Sequence, residues 1–176
     1  MKKDSIALIG FMGTGKTTIG KALIKQLGND YKFIETDEII VKESGKSIPK
    51  IFEEEGEQKF REYEISACIK ASKLKKTIIS CGGGVVLNNI NIDNLKKNCI
   101  IVLLKATPEE IYKRVMKDGK ETRPILNKKD PKKEIEKVLG LRNPFYEAAA
   151  EIIIDTTNKE IDDIVIEIVI NSHIKS

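Results

Sequence analysis

Gly10-Phe11-Met12-Gly13-Thr14-Gly15-Lys16-Thr17-Thr18 is the stretch that decides the fold, because it fits the phosphate-loop spacing G-x-x-x-x-G-K-[ST]. Ser5 to Ile9 ahead of it reads as a short buried strand, and Ile19 to Leu27 behind it reads as the opening of a helix. That strand, loop and helix context is what the motif needs. A glycine turn with chance spacing is the alternative, and it would not require those flanks. In a phosphate loop the glycines let backbone N–H groups curl round anionic oxygens, and the helix N-terminus adds donors and partial positive charge. Gly13, Thr14, Gly15, Lys16, Thr17 and Thr18 are therefore expected to bind ATP. Lys16 would reach the β- and γ-phosphates, and the Thr17 hydroxyl would ligate Mg2+.

Composition limits the remaining classes. With 176 residues, 40% hydrophobic and 33% charged, the chain suits a single domain over 1–176 with one core. The apolar stretch near the N-terminus is too short for a signal peptide or a membrane span, so the expected location is cytoplasmic, with no membrane partner. Cys68, Cys81 and Cys99 are odd in number and widely spaced, which fits buried thiols and neither a disulfide framework nor a zinc site. The formal charge is +4, the lysines are scattered and Trp is absent, so a nucleic-acid surface is not expected. His173, the one histidine, lies beyond the last periodic segment, which argues against a His-based triad or metal site. A monomer is expected.

Further along, Tyr31 to Ile34 can form a second strand that delivers Glu35, Thr36 and Asp37 to its C-terminal end. Short helical pieces are expected around 39–41 and 48–52, and a longer helix after Gly56. Thr77 to Cys81 reads as a third strand running into Gly82-Gly83-Gly84, and Ile100 to Leu104 as a fourth. Thr107-Pro108 starts a helix that reaches about Met116. Lys117 to Lys129 has few apolar anchors and reads as a lid able to open and close. Helices over 131–142, after Asn143-Pro144 and over 161–170, with a fifth strand at 152–154, complete the pattern. Alternating strands and helices imply a three-layer α/β domain with ligands at the C-terminal strand ends. The phosphate loop, Asp37 and Gly82-Gly83-Gly84 all fall at that edge.

A phosphate loop serves hydrolases, switches and kinases alike, so the acceptor must be read elsewhere. Glu35-Thr36-Asp37, Gly56 to Glu64, Gly82-Gly83-Gly84, Thr122 to Leu126 and Arg142-Asn143-Pro144-Phe145-Tyr146, taken with Gly10 to Thr18, closely resemble the shikimate kinase motifs in order and spacing over essentially the whole chain. That resemblance implies a P-loop kinase fold with a five-stranded parallel sheet and a mobile lid. It also implies transfer of the ATP γ-phosphoryl group to the 3-hydroxyl of shikimate. Arg61 and Arg142 match the positions that hold the shikimate carboxylate, Asp37 the position that orients and deprotonates the reacting hydroxyl, and Gly83 the substrate-binding glycine. Arg123 matches the catalytic lid arginine over the phosphates, and Lys159 a late nucleotide contact. Phe52, Phe60, Glu64 and Pro124 match pocket-lining positions, and Arg114 and Met116 lie near the place of an adenine-stacking arginine. Two features depart from the family pattern. Glu35 stands where the family usually has Asp near the magnesium, and the segment before Arg123 is longer than in many relatives. The rival functions are a P-loop kinase for gluconate or a nucleoside monophosphate, and a nucleotide-regulated binding module without an acceptor.

Overall fold

The apolar run that precedes the phosphate loop is the centre of the sheet. In the computed structural model, which describes residues 3–118 and 129–174, Ser5–Ile9 forms β1 and every one of its residues is buried. It is followed by α1 (Lys16–Leu27), β2 (Lys32–Glu35), α2 (Thr36–Ser44), α3 (Ile48–Glu54), α4 (Gly56–Ala71) and β3 (Thr77–Ser80). Then come a 3-10 turn (Val85–Leu87), α5 (Asn89–Leu95), β4 (Cys99–Lys105), α6 (Pro108–Asp118), α7 (Pro131–Ala149), β5 (Ile152–Asp155) and α8 (Ile161–Ser172). The strands form one parallel sheet in the order β2-β3-β1-β4-β5. The register pairs Leu8 with both Ser80 and Val102, and Glu35 with Ser80, so the strand C-termini form a single rim.

A strand with helices on both faces buries alternate residues on opposite sides. Ala7 and Ile9 accordingly join a core with Cys68, Ile79, Leu95, Ile111 and Tyr146, whereas Ile6 and Leu8 join another with Ile19, Leu23, Ile164 and Ile168. The sheet between two helical layers is the three-layer α/β fold. A third, smaller cluster of Ile40, Ile51, Phe60 and Ala67 holds α2, α3 and α4 together at the β2 end of the sheet.

Two elements differ from the expectation. The helix over 131–142 does not stop at Asn143-Pro144, because α7 runs unbroken from Pro131 to Ala149 with Pro144 inside it. Proline removes one backbone donor there, and the core anchors Ile135, Tyr146 and Ala149 on either side of it keep the helix in line. Between Gly84 and Cys99, where periodicity suggests nothing, Asn88 caps α5 by accepting a hydrogen bond from the Ile90 N–H at 3.0 Å. Most of the expected lid, residues 119–128 with Arg123 and Pro124, lies outside the described residues. No helix among the described residues is long and apolar enough to cross a membrane.

Candidate active site

The loop after β1 is shaped by positions that only glycine fills comfortably. Gly10 has φ 140°, and a Cβ there would lie 2.4 Å from the Leu104 carbonyl oxygen of the neighbouring strand. Gly15, at φ 96°, turns the chain into α1 so that the first-turn N–H groups of that helix point to the rim. Lys16 Nζ folds back over the loop and donates to the carbonyls of Gly10 at 2.8 Å and Phe11 at 2.9 Å. Thr14 Oγ1 also donates to Phe11 O at 2.8 Å, bracing the loop from inside. Next to it, the Thr17 hydroxyl donates to Glu35 Oε1 at 2.5 Å. The Glu35 carboxylate thus sits directly on the hydroxyl expected to face Mg2+. A cavity of about 490 Å3 opens here, lined by the loop, Glu35, Asp37, Gly82, Gly83 and Arg114.

The wall expected to face the acceptor is Gly82-Gly83-Gly84, which runs from β3 into the 3-10 turn. Each of these glycines faces a different side chain. A Cβ on Gly82 would lie 2.9 Å from Asp37 Oδ1, one on Gly83 would lie 3.9 Å from Arg142 Nη1, and one on Gly84 would lie 2.5 Å from Arg61 Nη1. Gly83 also faces the phosphate loop, with Met12 N at 3.8 Å and Gly10 O at 3.9 Å from the same point. Arg142 Nη1 and Tyr146 Oη both donate to the Gly83 carbonyl, at 3.3 and 2.5 Å. On the β2 side, the Gly82 N–H donates to Thr36 Oγ1 at 3.0 Å, which ties the turn to the start of α2 and so to Asp37.

Charge is concentrated at this wall. Arg61 donates to Glu64 Oε2 and Glu57 Oε1, each at 3.0 Å, and Glu64 is buried with 1% of its surface exposed. Burial pushes the Glu64 carboxyl up from its ordinary range, and Arg61 opposes the shift while Asp37 adds to it. The Asp37 carboxyl is likewise raised, first by the surrounding protein and then by Glu35, against the pull of Lys16. Asp37 nevertheless touches solvent through the cavity mouth, so cavity walls, not full enclosure, cause the rise. Burial pushes the Tyr146 hydroxyl up to about 12, which keeps it a neutral donor to Gly83. Cys68, Cys81 and Cys99 are all buried thiols raised by desolvation, Cys99 to about 12. Among the described residues no group of three or more His, Cys, Asp or Glu side chains is placed to hold a metal.

A phosphate loop and two guanidinium groups thus meet round one glycine turn, and the chain as a whole has close counterparts. The family model "Shikimate kinase" matches residues 12–172. The chain belongs to the shikimate kinase family. It is accordingly a small-molecule kinase. The shikimate kinase of Caldanaerobacter subterraneus subsp. tengcongensis is 47% identical over 171 residues, covering 97% of this chain and 96% of its relative. That of Enterococcus faecalis is 40% identical over 165 residues, covering 94% and 96%. The structure of Acinetobacter baumannii shikimate kinase in complex with shikimate superposes with a TM-score of 0.86 at 32% identity, covering 95% of this chain and 91% of the other. A gluconokinase from Sinorhizobium meliloti, at 14% identity and a TM-score of 0.62, shares the fold alone.

Of the positions that resemble shikimate kinase motifs, Lys16, Thr17, Asp37, Arg61, Gly83 and Arg142 converge on this rim, and Arg123 lies outside the described residues. Lys159 pairs with Glu167 at 2.7 Å and lines neither the cavity nor the adjoining hollow between α1 and α8. Phe60 is core, stacked at 4.6 Å on Phe52, which is 40% exposed. Arg114 fastens α6 to the phosphate loop. Its guanidinium donates to Gly13 O at 3.4 Å, to Thr156 Oγ1 at 3.0 Å and to Thr156 O at 2.8 Å. Thr156 and Asn91, both fully buried, carry no motif, and only the three-dimensional contacts bring them to notice.

Proposed function

We propose that this rim transfers the γ-phosphoryl group of ATP to the 3-hydroxyl of shikimate, giving shikimate 3-phosphate and ADP in aromatic amino acid biosynthesis. The observation that carries this reading is the glycine turn, whose consecutive residues meet Asp37, Arg142 and Arg61 while the middle one also faces the phosphate loop. The shikimate carboxylate would be gripped by Arg61 and Arg142, since a planar guanidinium matches a carboxylate with two parallel hydrogen bonds. With that end fixed, the ring lies against Gly83, where no side chain intrudes, and its 3-hydroxyl falls to Asp37. Asp37 orients the hydroxyl and accepts its proton as the oxygen attacks. Lys16 leaves its two loop carbonyls for the phosphates, whose charge it then offsets. Arg123 is assigned to the phosphates as well, where a cation stabilises charge on the group in transfer.

Thr17 and Glu35 supply hard oxygen donors side by side, a set that fits Mg2+. Bound there, Mg2+ would neutralise charge on the β- and γ-phosphate oxygens. Glu35 keeps the Thr17 hydroxyl proton turned to itself, so the oxygen's lone pairs are left for the ion. Gly13, Thr14, Gly15 and Thr18 are assigned to the nucleotide phosphates, and Lys159 to the nucleoside side after release from Glu167. The protein is read as a cytoplasmic single-domain monomer with residues 117–129 as the lid.

ADP release in the presence of Mg2+ tests the function directly. Shikimate should raise it by orders of magnitude over the shikimate-free rate, and gluconate and nucleoside monophosphates should not. A binding module would show nucleotide affinity and ADP release that shikimate leaves unchanged.

A further inference from the structure

Asn91 is wholly buried behind the acceptor wall and has no part in the scheme above. Its side-chain Nδ2 carries two hydrogens and meets two acceptors, Val85 O at 3.0 Å and Glu64 Oε2 at 3.4 Å. Among the described residues no donor reaches its Oδ1. A buried, half-satisfied amide is costly, and an apolar side chain of the same shape would serve packing better. The two acceptors make sense of its presence. Val85 directly follows Gly84, which faces Arg61, and Arg61 in turn is held by Glu64. The contacts close a ring of Arg61, Glu64, Asn91, Val85 and Gly84 that joins α4 to the glycine turn by way of α5.

We propose that Asn91 is a positioning residue for the acceptor site, fixing the Glu64 carboxylate and the end of the glycine turn in one register so that the Arg61 guanidinium is aimed at the substrate carboxylate. The inference rests on the assignment of Arg61 to that carboxylate. Glu64 accepts from both Arg61 and Asn91 at the same oxygen, Oε2, so the buried amide helps to keep that oxygen in the place where Arg61 meets it. Without the amide, Glu64 turns away and Arg61 is left to its exposed partner Glu57, which lies 3.0 Å from Nη2 with 67% of its side chain exposed.

The test is steady-state kinetics on Asn91→Leu, in the wild-type and the Glu64→Gln backgrounds, with Arg61→Ala alongside. Asn91→Leu should raise the shikimate KM about tenfold, the size of one hydrogen bond to a charged group, with kcat and the ATP KM held within about threefold. In the Glu64→Gln background the same change should move the shikimate KM less than about twofold, since no charge remains to be held. Equal effects in both backgrounds, or a fall in thermal stability with the shikimate KM unmoved, would overturn the proposal. An unchanged shikimate KM in Arg61→Ala overturns the clamp and this inference with it. A raised KM there together with an unmoved KM in Asn91→Leu overturns this inference alone. Should Asn91→Leu not fold, NMR of the unaltered protein decides: the Asn91 side-chain amide should exchange slowly and shift on addition of shikimate, and a fast-exchanging, unresponsive amide sinks the idea.

Discussion

Replacing Gly83 by alanine separates the requirements of the fold from those of the acceptor. A methyl group at Gly83 would meet Met12 N at 3.8 Å and both Arg142 Nη1 and Gly10 O at 3.9 Å, all ordinary contact distances. Gly83 is not among the glycines with positive φ, so alanine can adopt its backbone. The folded state is therefore not strained, and the unfolded chain loses freedom worth about 0.4–1 kcal/mol. For a chain of this size the Tm should be unchanged or rise by roughly 1–4 °C. Function should respond in the opposite sense. The new methyl stands between the phosphate loop and Arg142, where the ring of the acceptor is assigned. Displacement of a reacting group by about 1 Å costs on the order of 100-fold in rate. Coupled ADP release should show kcat/KM for shikimate lowered by about that factor, with the ATP KM near wild type. Gly10→Ala is the contrast, since its Cβ would sit 2.4 Å from Leu104 O at φ 140°. Backbone strain of about 2–3 kcal/mol there should lower the Tm by roughly 5–10 °C. Wild-type turnover in Gly83→Ala would show that no acceptor lies against the turn, and a large loss of Tm would refute the steric reasoning.

Asp37→Asn should bind ATP normally and lose about 10²- to 10⁴-fold in kcat, and near-normal turnover would remove Asp37 from its role. Because the folded chain raises the Asp37 carboxyl, ionising it costs stability at neutral pH, a cost that fades as pH falls through the raised value. The asparagine variant should thus be neutral or slightly stabilising at pH 8, and the acid limb of wild-type kcat/KM, which reports the free enzyme, should lie above the ~3.9 of an unperturbed aspartate. Arg61→Ala leaves Glu64 buried without its guanidinium, a loss of about 3 kcal/mol that Glu64→Gln should partly restore, as thermal denaturation would record. Native protein at pH 8 should react with none of its three cysteines on the minute timescale, and all should react after unfolding. Rapid labelling of Cys81, which lines the cavity, would mean that the glycine turn opens far more than its hydrogen bonds suggest.

What the sequence discloses depends on how local the cause is. The phosphate loop and β1 are legible because glycine spacing, a lysine and an apolar run act over neighbouring residues. Asp37, Arg61 and Arg142 are legible only as members of an ordered set, since a carboxylate at a helix start or an arginine on a helix face has many uses. The contacts from Asn91 to Glu64 and from Arg114 to Thr156 are invisible in the sequence because the partners are 27 and 42 residues apart. The unbroken α7 is the converse case. Local chemistry predicts a stop at Pro144, and burial of Tyr146 and Ala149 against the sheet outweighs one missing hydrogen bond.

The gluconokinase likeness shows why the fold could not by itself decide the acceptor. The proposed nucleotide half of the site is built on β1, α1 and the strand ends, the parts any phosphate-loop kinase needs. The residues proposed for the acceptor come mostly from a separate block. Asp37 opens α2 and Arg61 lies on α4, and these two helices share with α3 the small core of Ile40, Ile51, Phe60 and Ala67, apart from the two main cores. Among the described residues proposed for the acceptor, Arg142 comes from outside this block, on α7. The geometry places two guanidinium groups one residue apart along the glycine turn and a carboxylate beside the residue before them. On the proposed assignment, the acceptor offers an anion to the pair of cations and a hydroxyl to Asp37, two groups that a rigid ring holds in place. A flexible sugar acid would have to lose chain entropy to span the same two points. On that assignment, chain entropy favours a cyclic acid over an open-chain one before any hydroxyl beyond the reacting one is counted.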